Sequence, residues 1–332
     1  MPESILTVEG LKTYFFTEAG VVQAVDGISF NLRKGESLGL VGESGSGKTV
    51  SALSVLRIVP RPGKIIEGKI EFNGHNLLKK TEEEMRKIRG NEIAIIFQDP
   101  SSSLNPVYTI ETQLKDVITA HQTQPREQAR EKVMELLKLV GIPDPETRMM
   151  EYPHQFSGGM KQRVAIARAL ALEPKLLFAD EPTTNLDVTI QAQVLGLLND
   201  LKKKLGMSLV MISHDMGIIA EMTARIVVLY AGRVCEIART NDLFEQPRHP
   251  YTAALLEAVP RLDMRKTLQV IPGNIPNLIE PPSGCRFHPR CEYSQDICAK
   301  KVPTLEQVGP DHFVACHMWQ KITLKGERAS HE

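Results

Sequence analysis

The stretch Gly42-Glu43-Ser44-Gly45-Ser46-Gly47-Lys48-Thr49 predicts how this chain folds. It fits the pattern G-x-x-x-x-G-K-[ST], with an apolar strand pattern at 35–42 before it and a helical pattern after it. The glycines let the backbone curl so that successive N–H groups converge on phosphates, and the helix N-terminus adds the positive end of its dipole. We therefore expect a nucleotide site formed by Gly42, Glu43, Ser44, Gly45, Ser46, Gly47, Lys48, Thr49 and Val50.

Two acidic residues extend this prediction. Asp180 ends the apolar run LLFA (176–179), and Glu181 follows it. An acid at the carboxyl end of a parallel strand lies where ligands bind in such sheets. We expect Lys48 to reach the β- and γ-phosphates of the nucleotide, Thr49 to ligate Mg²⁺, and Asp180 to bind this ion directly or through water. Glu181 is suited to polarising the attacking water as a general base.

Strand and helix patterns alternate along most of the chain. The strand-like segments are 5–33, split by the turn-prone TEAG, then GKIEFNG (68–74), 175–180 and 208–214. The amphipathic helical segments are 81–89, 125–140, 157–172 and 191–206, and 225–238 is typical of a hairpin. This alternation predicts an α/β fold built on a parallel sheet.

The composition excludes several classes of protein. The 332 residues include 40 Lys and Arg and 40 Asp and Glu, and 42% are hydrophobic. Zero net charge argues against a polybasic nucleic-acid binder, and no apolar run approaches the ~18 residues that a membrane helix needs. The start, MPESILTVEG, has no basic region followed by an apolar stretch, so we expect a cytosolic chain without an export signal.

A third motif, FSGGMKQR (156–163), lies between the phosphate loop and LLFADEPTTNLD (176–187). With these motifs in this order, residues 5–240 resemble the ATP-binding-cassette (ABC) ATPases. Ser157, Gly158 and Gly159 open a helix, and a helix N-terminus without bulky side chains is suited to an anion. In the family this signature completes the nucleotide site of a second subunit. The resemblance therefore implies two ATP molecules sandwiched head to tail between two chains.

Three more positions match the family. Gln98, in IFQD (96–99), resembles the Q-loop glutamine, which contacts Mg²⁺ and the water and links the core to a helical subdomain. Asp187 resembles the aspartate of the D-loop that crosses the dimer interface. His214 resembles the switch histidine that holds the γ-phosphate. The resemblance thus implies catalytic roles for Lys48, Gln98, Glu181 and His214, with Gln98 also near Mg²⁺.

An aromatic residue near the N-terminus stacks on adenine in the family, and the register favours Phe15, with Tyr14 and Phe16 as competitors. Two positions depart from the family pattern: Phe156 stands where Leu is usual, and Met160 where Gln is usual. Neither removes the Ser and Gly that meet phosphate, so we expect activity. The resemblance implies a P-loop NTPase (RecA-like) core with an antiparallel β subdomain and an α-helical signature subdomain.

The end of the chain has a different character. The last 88 residues hold 10 of the 21 prolines, and little periodic structure follows the helical piece PYTAALLEAV. RHPYTAALL (248–256) resembles the segment that follows the cassette in oligopeptide and dipeptide importer ATPases. We therefore predict an ABC ATPase domain at 1–244 and a small, proline-rich and loop-rich C-terminal domain at 245–332.

We call residues 245–332 the C-terminal extension. Four of the five cysteines lie in it, at Cys285, Cys291, Cys298 and Cys316. Disulfides are disfavoured in a reducing cytosol, and zinc sites favour closely spaced C-x₂₋₄-C pairs, which are absent. Four thiolates are a ligand set for a [4Fe–4S] cluster. Dipeptide-importer ATPases with a similar arrangement carry such a cluster, so we favour it over Zn²⁺ or free thiols. Cys235 is expected to be an ordinary buried thiol.

The resemblance implies an ATP-hydrolysing subunit that powers the import of dipeptides or oligopeptides, peripheral on the cytoplasmic face of the cell membrane. Its expected partners are two transmembrane permease subunits, a second and paralogous ABC ATPase subunit, and indirectly an extracellular peptide-binding protein, with no nucleic acid. The alternatives are a nickel-type importer ATPase, a soluble ABC ATPase of DNA repair or translation, and a redox-sensing tail.

Overall fold

A computed structural model describes residues 3–121, 125–258, 271–324 and 326. The strands are β1 (Ser4–Thr17), β2 (Gly20–Arg33), β3 (Ser37–Val41), β4 (Gly63–Phe72), β5 (His75–Asn76), β6 (Ile93–Ile96), β7 (Leu176–Asp180), β8 (Ser208–Ile212), β9 (Arg225–Tyr230), β10 (Arg233–Arg239), β11 (Glu306–Gly309) and β12 (His312–Val314). The helices are α1 (Lys48–Val55), α2 (Glu82–Ile88), α3 (Pro100–Ser103), α4 (Ile110–His121), α5 (Arg126–Leu139), α6 (Pro145–Arg148), α7 (Gly158–Leu170), α8 (Val188–Leu205), α9 (Met216–Met222), α10 (Thr240–Glu245), α11 (Pro250–Glu257) and α12 (Asp296–Lys300).

The chain divides into two units, one formed by 1–79 with 211–332 and the other by 80–210, and β8 crosses the boundary between them. The first unit contains an antiparallel sheet in the order β2-β1-β4-β5. Buried apolar residues alternate along its strands, as expected for a sheet with one face in the core. The β1–β2 turn at 17–20 is the one that TEAG predicts, so the predicted antiparallel strands are confirmed.

A second set of strands in the first unit follows the order β11-β12-β10-β9-β3. β3 and β9 are parallel, with Leu40 opposite Val227, and every residue of both strands is buried. Continuous apolar runs are typical of parallel strands covered on both faces. β3 thus delivers the glycine-rich stretch at 42–47 directly from the core to the start of α1.

The second unit pairs β6 with β7 in parallel, with Ile96 opposite Ala179. Its helices bury apolar stripes; in α4 these are Ile110, Leu114 and Ile118, which are four residues apart. The helices predicted at 81–89, 125–140, 157–172 and 191–206 are present within a few residues. β6 and α4 are additional elements that the sequence reading did not include.

The extension contributes more regular structure than its prolines indicate. β12 pairs antiparallel with β10, and β11 pairs with β12, so the sheet of the first unit gains two short strands from the C-terminal region. No periodicity indicated them, because strands of three and four residues are too short to show one. In the part of the chain that the structure describes, no helix is long and apolar enough to cross a bilayer.

Candidate nucleotide-binding site

The phosphate loop joins β3 to α1, as the sequence predicts. Its backbone is left-handed at Gly42, where φ is 147°, and at Gly47, where φ is 101°. A Cβ at Gly42 would lie 2.1 Å from the carbonyl oxygen of Leu229, and one at Gly47 would lie 2.5 Å from that of Ala24. Conformation and space therefore both require glycine at these two positions.

Lys48 folds back over this loop. Its side chain is buried, and Nζ donates hydrogen bonds to the carbonyl oxygens of Gly42 at 2.7 Å and Glu43 at 3.0 Å. The carbonyl of Ser46 accepts a hydrogen bond from the N–H of Gly232, which ties the loop to the β9–β10 turn. A buried cation and a curled backbone at the start of a helix are thus held together, an arrangement suited to a phosphate chain.

The three aromatic residues near the end of β1 have different surroundings. Phe15 is half-buried and pairs with Gly63 in β4. A Cβ added at Gly63 would lie only 2.7 Å from the ring of Phe15. Tyr14 donates its hydroxyl to Asp26 at 2.7 Å, and burial together with this bond raises its pKa to about 12. Phe16 is 45% exposed. The hydrogen bond to Asp26 therefore fixes the Tyr14 side chain, and Phe15 stays the predicted adenine contact.

The remaining predicted residues of the first unit lie at element ends. Thr49 and Val50 are in the first turn of α1, and Thr49 is exposed. His214 is exposed just after β8, and the next residue, Asp215, caps α9 by accepting hydrogen bonds from the N–H groups of Gly217 and Ile218. This cap fixes the backbone directly after His214.

In the second unit, the parallel pairing of β6 and β7 brings two predicted residues together. Gln98 follows β6 and Glu181 follows β7, and Gln98 Nε2 donates to Glu181 Oε2 at 2.8 Å. The hydroxyl of Thr184 donates to the same oxygen at 3.1 Å. Two side chains therefore fix the carboxylate that the sequence predicts as the general base. Thr184 was missed in the sequence reading, because its role depends on the turn at 181–184.

Asp180 and Glu181 differ in environment although they are adjacent. Asp180 ends β7 and is 3% exposed, whereas Glu181 is partly exposed and has a left-handed backbone with φ of 45°. This conformation is unfavourable for a residue with a Cβ, and such strain concentrates at functional sites. The turn directs consecutive carboxylates into different surroundings, as different roles for the two acids require.

In the second unit, the signature residues at the start of α7 lie beside the first turn of α8, the helix that Asp187 caps. Ser157 caps α7 by accepting from the N–H of Met160, and Asp187 caps α8 by accepting from the N–H of Ile190. Ser157 and Gly158 are exposed, whereas a Cβ at Gly159 would lie 2.7 Å from Cγ2 of Ile190. Both helix N-termini are thus presented at one exposed surface of this unit.

Comparison with known proteins decides the family. A model of the ABC transporter family matches residues 25–184, and a model of the oligopeptide/dipeptide transporter C-terminal region matches 235–298. The chain is 49% identical to a probable peptide ABC transporter ATP-binding protein of Sinorhizobium fredii, over 94% of each chain. It is 46% identical to the dipeptide transport ATP-binding protein DppD of Escherichia coli, over 95% of this chain and 96% of that one.

The chain belongs to the oligopeptide/dipeptide importer family of ABC transporter ATP-binding proteins. Solved structures agree on the fold. The ATP-binding cassette MJ0796, bound to ADP and phosphate, matches with a TM-score of 0.64 and 26% identity over 71% of this chain and 98% of that one. CbiO1 of Clostridium perfringens matches with a TM-score of 0.62 and 29% identity over 73% and 91%. The predicted family and the predicted ABC cassette fold are confirmed.

The four extension cysteines of this importer-family chain all line one small cavity, together with Phe287 and Met318. None forms a disulfide. Burial, and then the charges of the neighbouring thiols, raise the pKa of Cys291 to about 11 and that of Cys316 to about 12. Yet no group of three or more His, Cys, Asp or Glu side chains in the described ranges has the arrangement of a metal site. The [4Fe–4S] cluster stays a prediction.

Proposed function

We propose that this chain binds Mg·ATP at the phosphate loop and hydrolyses it to power the import of dipeptides and oligopeptides through a membrane ABC transporter. Family membership and the peptide-transport names of its relatives support the cargo class. The observation that carries the hydrolytic role is the Glu181 carboxylate, which Gln98 and Thr184 hold at the end of β7.

Each residue has a defined part in this proposal. Glu181 takes a proton from the attacking water, and Gln98 keeps its carboxylate oriented. Lys48 and His214 stabilise the charge on the transferring phosphoryl group. The hydroxyl of Thr49, the carboxylate of Asp180 and the amide oxygen of Gln98 are the hard oxygen ligands that Mg²⁺ prefers, and the ion would neutralise phosphate charge. Phe15 stacks on the adenine.

A second ATPase subunit completes the site. Ser157, Gly158 and Gly159 contact the nucleotide of the partner, and Asp187 crosses the interface. Support comes from the exposure of Ser157 and Gly158 at the N-terminus of α7, where N–H groups and the helix dipole favour an anion. In this proposal, ATP binds the closed pair more tightly than the open pair and so drives the conformational cycle.

The variant Glu181→Gln tests the catalytic assignment. We expect phosphate release to fall by at least about 100-fold, the usual scale for losing a general base, while ATP binding persists. Phosphate release and binding of a fluorescent ATP analogue are measured on the same preparation. Glu131→Gln, in the exposed face of α5, is the matched control. Undiminished turnover in Glu181→Gln would refute the assignment.

The partners proposed are two transmembrane permeases, a paralogous second ATPase and, indirectly, an extracellular peptide-binding protein, with this chain peripheral on the cytoplasmic face of the cell membrane. Purification in mild detergent with mass identification of the co-purifying chains tests this. Two permeases and a second cassette would support the proposal, whereas ribosomes or DNA-repair proteins would overturn it.

ATP hydrolysis stimulated by peptide, and not by Ni²⁺, distinguishes a peptide importer from a nickel-type one.

We further propose that Cys285, Cys291, Cys298 and Cys316 hold a [4Fe–4S] cluster. Their shared cavity and soft sulfur ligands support this, since four thiolates suit such a cluster. Anaerobic purification followed by iron and sulfide analysis and a visible absorption spectrum is the test. About four irons per chain are expected. Stoichiometric zinc without iron would show that the cysteines hold Zn²⁺ and not a cluster.

A further inference from the structure

The C-terminal extension forms hydrogen bonds with the phosphate loop at Glu43. The guanidinium of Arg290 donates two hydrogen bonds to its carboxylate, at 2.8 Å to Oε2 and 3.2 Å to Oε1. The hydroxyl of Tyr251 accepts a hydrogen bond from the backbone N–H of Glu43 at 2.8 Å. Side chain and backbone of the same loop residue are therefore both held from residues more than 200 positions away in the sequence.

Both residues that hold Glu43 are themselves rigidly placed. Arg290 is 5% exposed at its side chain, and it also donates to the hydroxyl of Tyr230 at 3.2 Å and the carbonyl of Pro272 at 2.7 Å. Tyr251 is fully buried, with its ring 4.6 Å from that of Tyr230. An arginine fixed in this way loses little further entropy in a two-bond contact, which favours a strong ion pair.

The pKa shifts of Arg290 and Tyr251 agree with this geometry. Burial by itself lowers the pKa of Arg290, but the hydrogen bonds and charges of Glu43 and Tyr230 outweigh burial, and the pKa is raised. Burial raises the pKa of Tyr251 far above its ordinary value, so its hydroxyl stays neutral. Arg290 therefore stays charged and Tyr251 stays neutral at physiological pH.

Glu43 lies where a change in its position would disturb phosphate binding. It lies directly after Gly42, and the carbonyls of both residues accept hydrogen bonds from Lys48 Nζ. A shift of Glu43 would move these carbonyls and the ammonium together. A glycine-rich loop lacks side chains to stabilise its own shape, so an external anchor reduces the cost of ordering it when the ligand binds.

We propose that Arg290 and Tyr251 are positioning residues for the phosphate loop, through which the C-terminal extension pre-forms the ATP site at Glu43. This inference rests on the proposed function, in which the loop binds ATP. It gives the extension a direct part in nucleotide affinity.

The test compares Arg290→Gln and Tyr251→Phe with the parent chain in the purified transporter complex. We expect KM for ATP, and Kd for a fluorescent ATP analogue, to rise roughly tenfold for Arg290→Gln, with kcat changed less than about twofold. A smaller rise in the same direction is expected for Tyr251→Phe. Glu43→Gln should resemble Arg290→Gln, and the double variant should be no worse than either alone, because both changes remove one contact.

Arg239→Gln is the matched control. Arg239 also pairs with a carboxylate across to the extension, at 3.0 Å to Asp311, but it joins β10 rather than the phosphate loop. We expect no change in KM for this variant. Unchanged ATP affinity in Arg290→Gln and Glu43→Gln, or an equal effect of Arg239→Gln, would overturn the inference. If Arg290→Gln does not fold, Glu43→Gln and Tyr251→Phe still decide.

Lys48→Ala separates this inference from the proposed function. Loss of ATP binding in Lys48→Ala with no effect of Arg290→Gln and Glu43→Gln would refute only the positioning role. Unaltered ATP binding in Lys48→Ala would refute the phosphate-loop assignment on which both proposals depend.

Discussion

Asp26 is the residue at which three parts of the first unit meet. Its carboxylate accepts hydrogen bonds from Tyr14 at 2.7 Å, from Arg233 at 2.8 Å and from Arg286 at 2.7 Å. The Asp26 side chain is 8% exposed and that of Arg286 is 2% exposed. We expect Asp26→Asn to lower the free energy of unfolding by about 2–4 kcal/mol, because removing one partner leaves a buried charge uncompensated. Chemical denaturation measures the change.

Asp311→Asn is the control for this prediction. Asp311 also accepts from two arginines, Arg33 and Arg239, but its side chain is 22% exposed. Its loss should cost about 1 kcal/mol or less, as for other partly solvated pairs. Equal costs for the two variants would mean that burial does not set the value of these ion pairs.

The contribution of Asp26 to the free energy of unfolding should depend on pH. Burial opposes its ionisation, but the bonds from Tyr14 and Arg233 and the charges of Arg286 and Arg233 outweigh burial and lower the pKa below 3.8. The folded chain then binds fewer protons than the unfolded chain at low pH, so this stabilisation is complete above pH 3.8 and is lost as pH falls through the lowered pKa. The stability difference between the parent chain and Asp26→Asn should narrow below pH 3.8 and stay constant from pH 5 to 7.

The two glycines at the start of α7 differ in the space that a Cβ atom would have. A Cβ at Gly159 would lie 2.7 Å from Cγ2 of Ile190 in α8, whereas one at Gly158 would lie 3.7 Å from Leu186, an ordinary contact. We expect Gly159→Ala to lower the free energy of unfolding by about 1–3 kcal/mol through overpacking. Gly158→Ala, the control, should be within about 0.5 kcal/mol of the parent chain or slightly more stable.

Thermal unfolding of the isolated chain measures both effects. A second change, Ile190→Ala, should recover part of the loss in Gly159→Ala, because it removes the clashing methyl group. Equal stability of Gly158→Ala and Gly159→Ala would show that α7 and α8 adjust freely, and that Gly159 is not required by packing.

Elements differ in how far the sequence determines them. The phosphate loop was predictable because its strand, glycines and helix are consecutive in the sequence, and the positive φ values of Gly42 and Gly47 are a local requirement for glycine. α4 has a helical signal in the four-residue spacing of its buried apolar residues. β12 was not predictable, since its paired residues in β10 are more than 75 positions earlier and tertiary packing sets the register. The Arg290–Glu43 contact likewise has no local signal.

Buried polar contacts cross the predicted domain boundary between residues 244 and 245. Glu236, in β10, is fully buried, and its carboxylate accepts hydrogen bonds from the N–H groups of Arg248 and His249 and faces His312 Nε2 at 2.7 Å. All three partners belong to the extension. Removing them would leave a buried carboxylate without these donors and would expose the edge of β10, which promotes aggregation.

We therefore expect a chain ending at residue 244 to lose cooperative unfolding and to aggregate, because losses of several kcal/mol approach the 5–15 kcal/mol that stabilise a typical domain. Urea unfolding and light scattering, compared with the full chain, are the measurements. Glu236→Gln in the full chain is the milder control, since its amide oxygen retains an acceptor for one of the two backbone N–H groups. A 1–244 chain that unfolds cooperatively at the same urea concentration as the full chain would establish the predicted boundary as that of an independent domain, and would leave the extension a role in positioning the phosphate loop but none in folding.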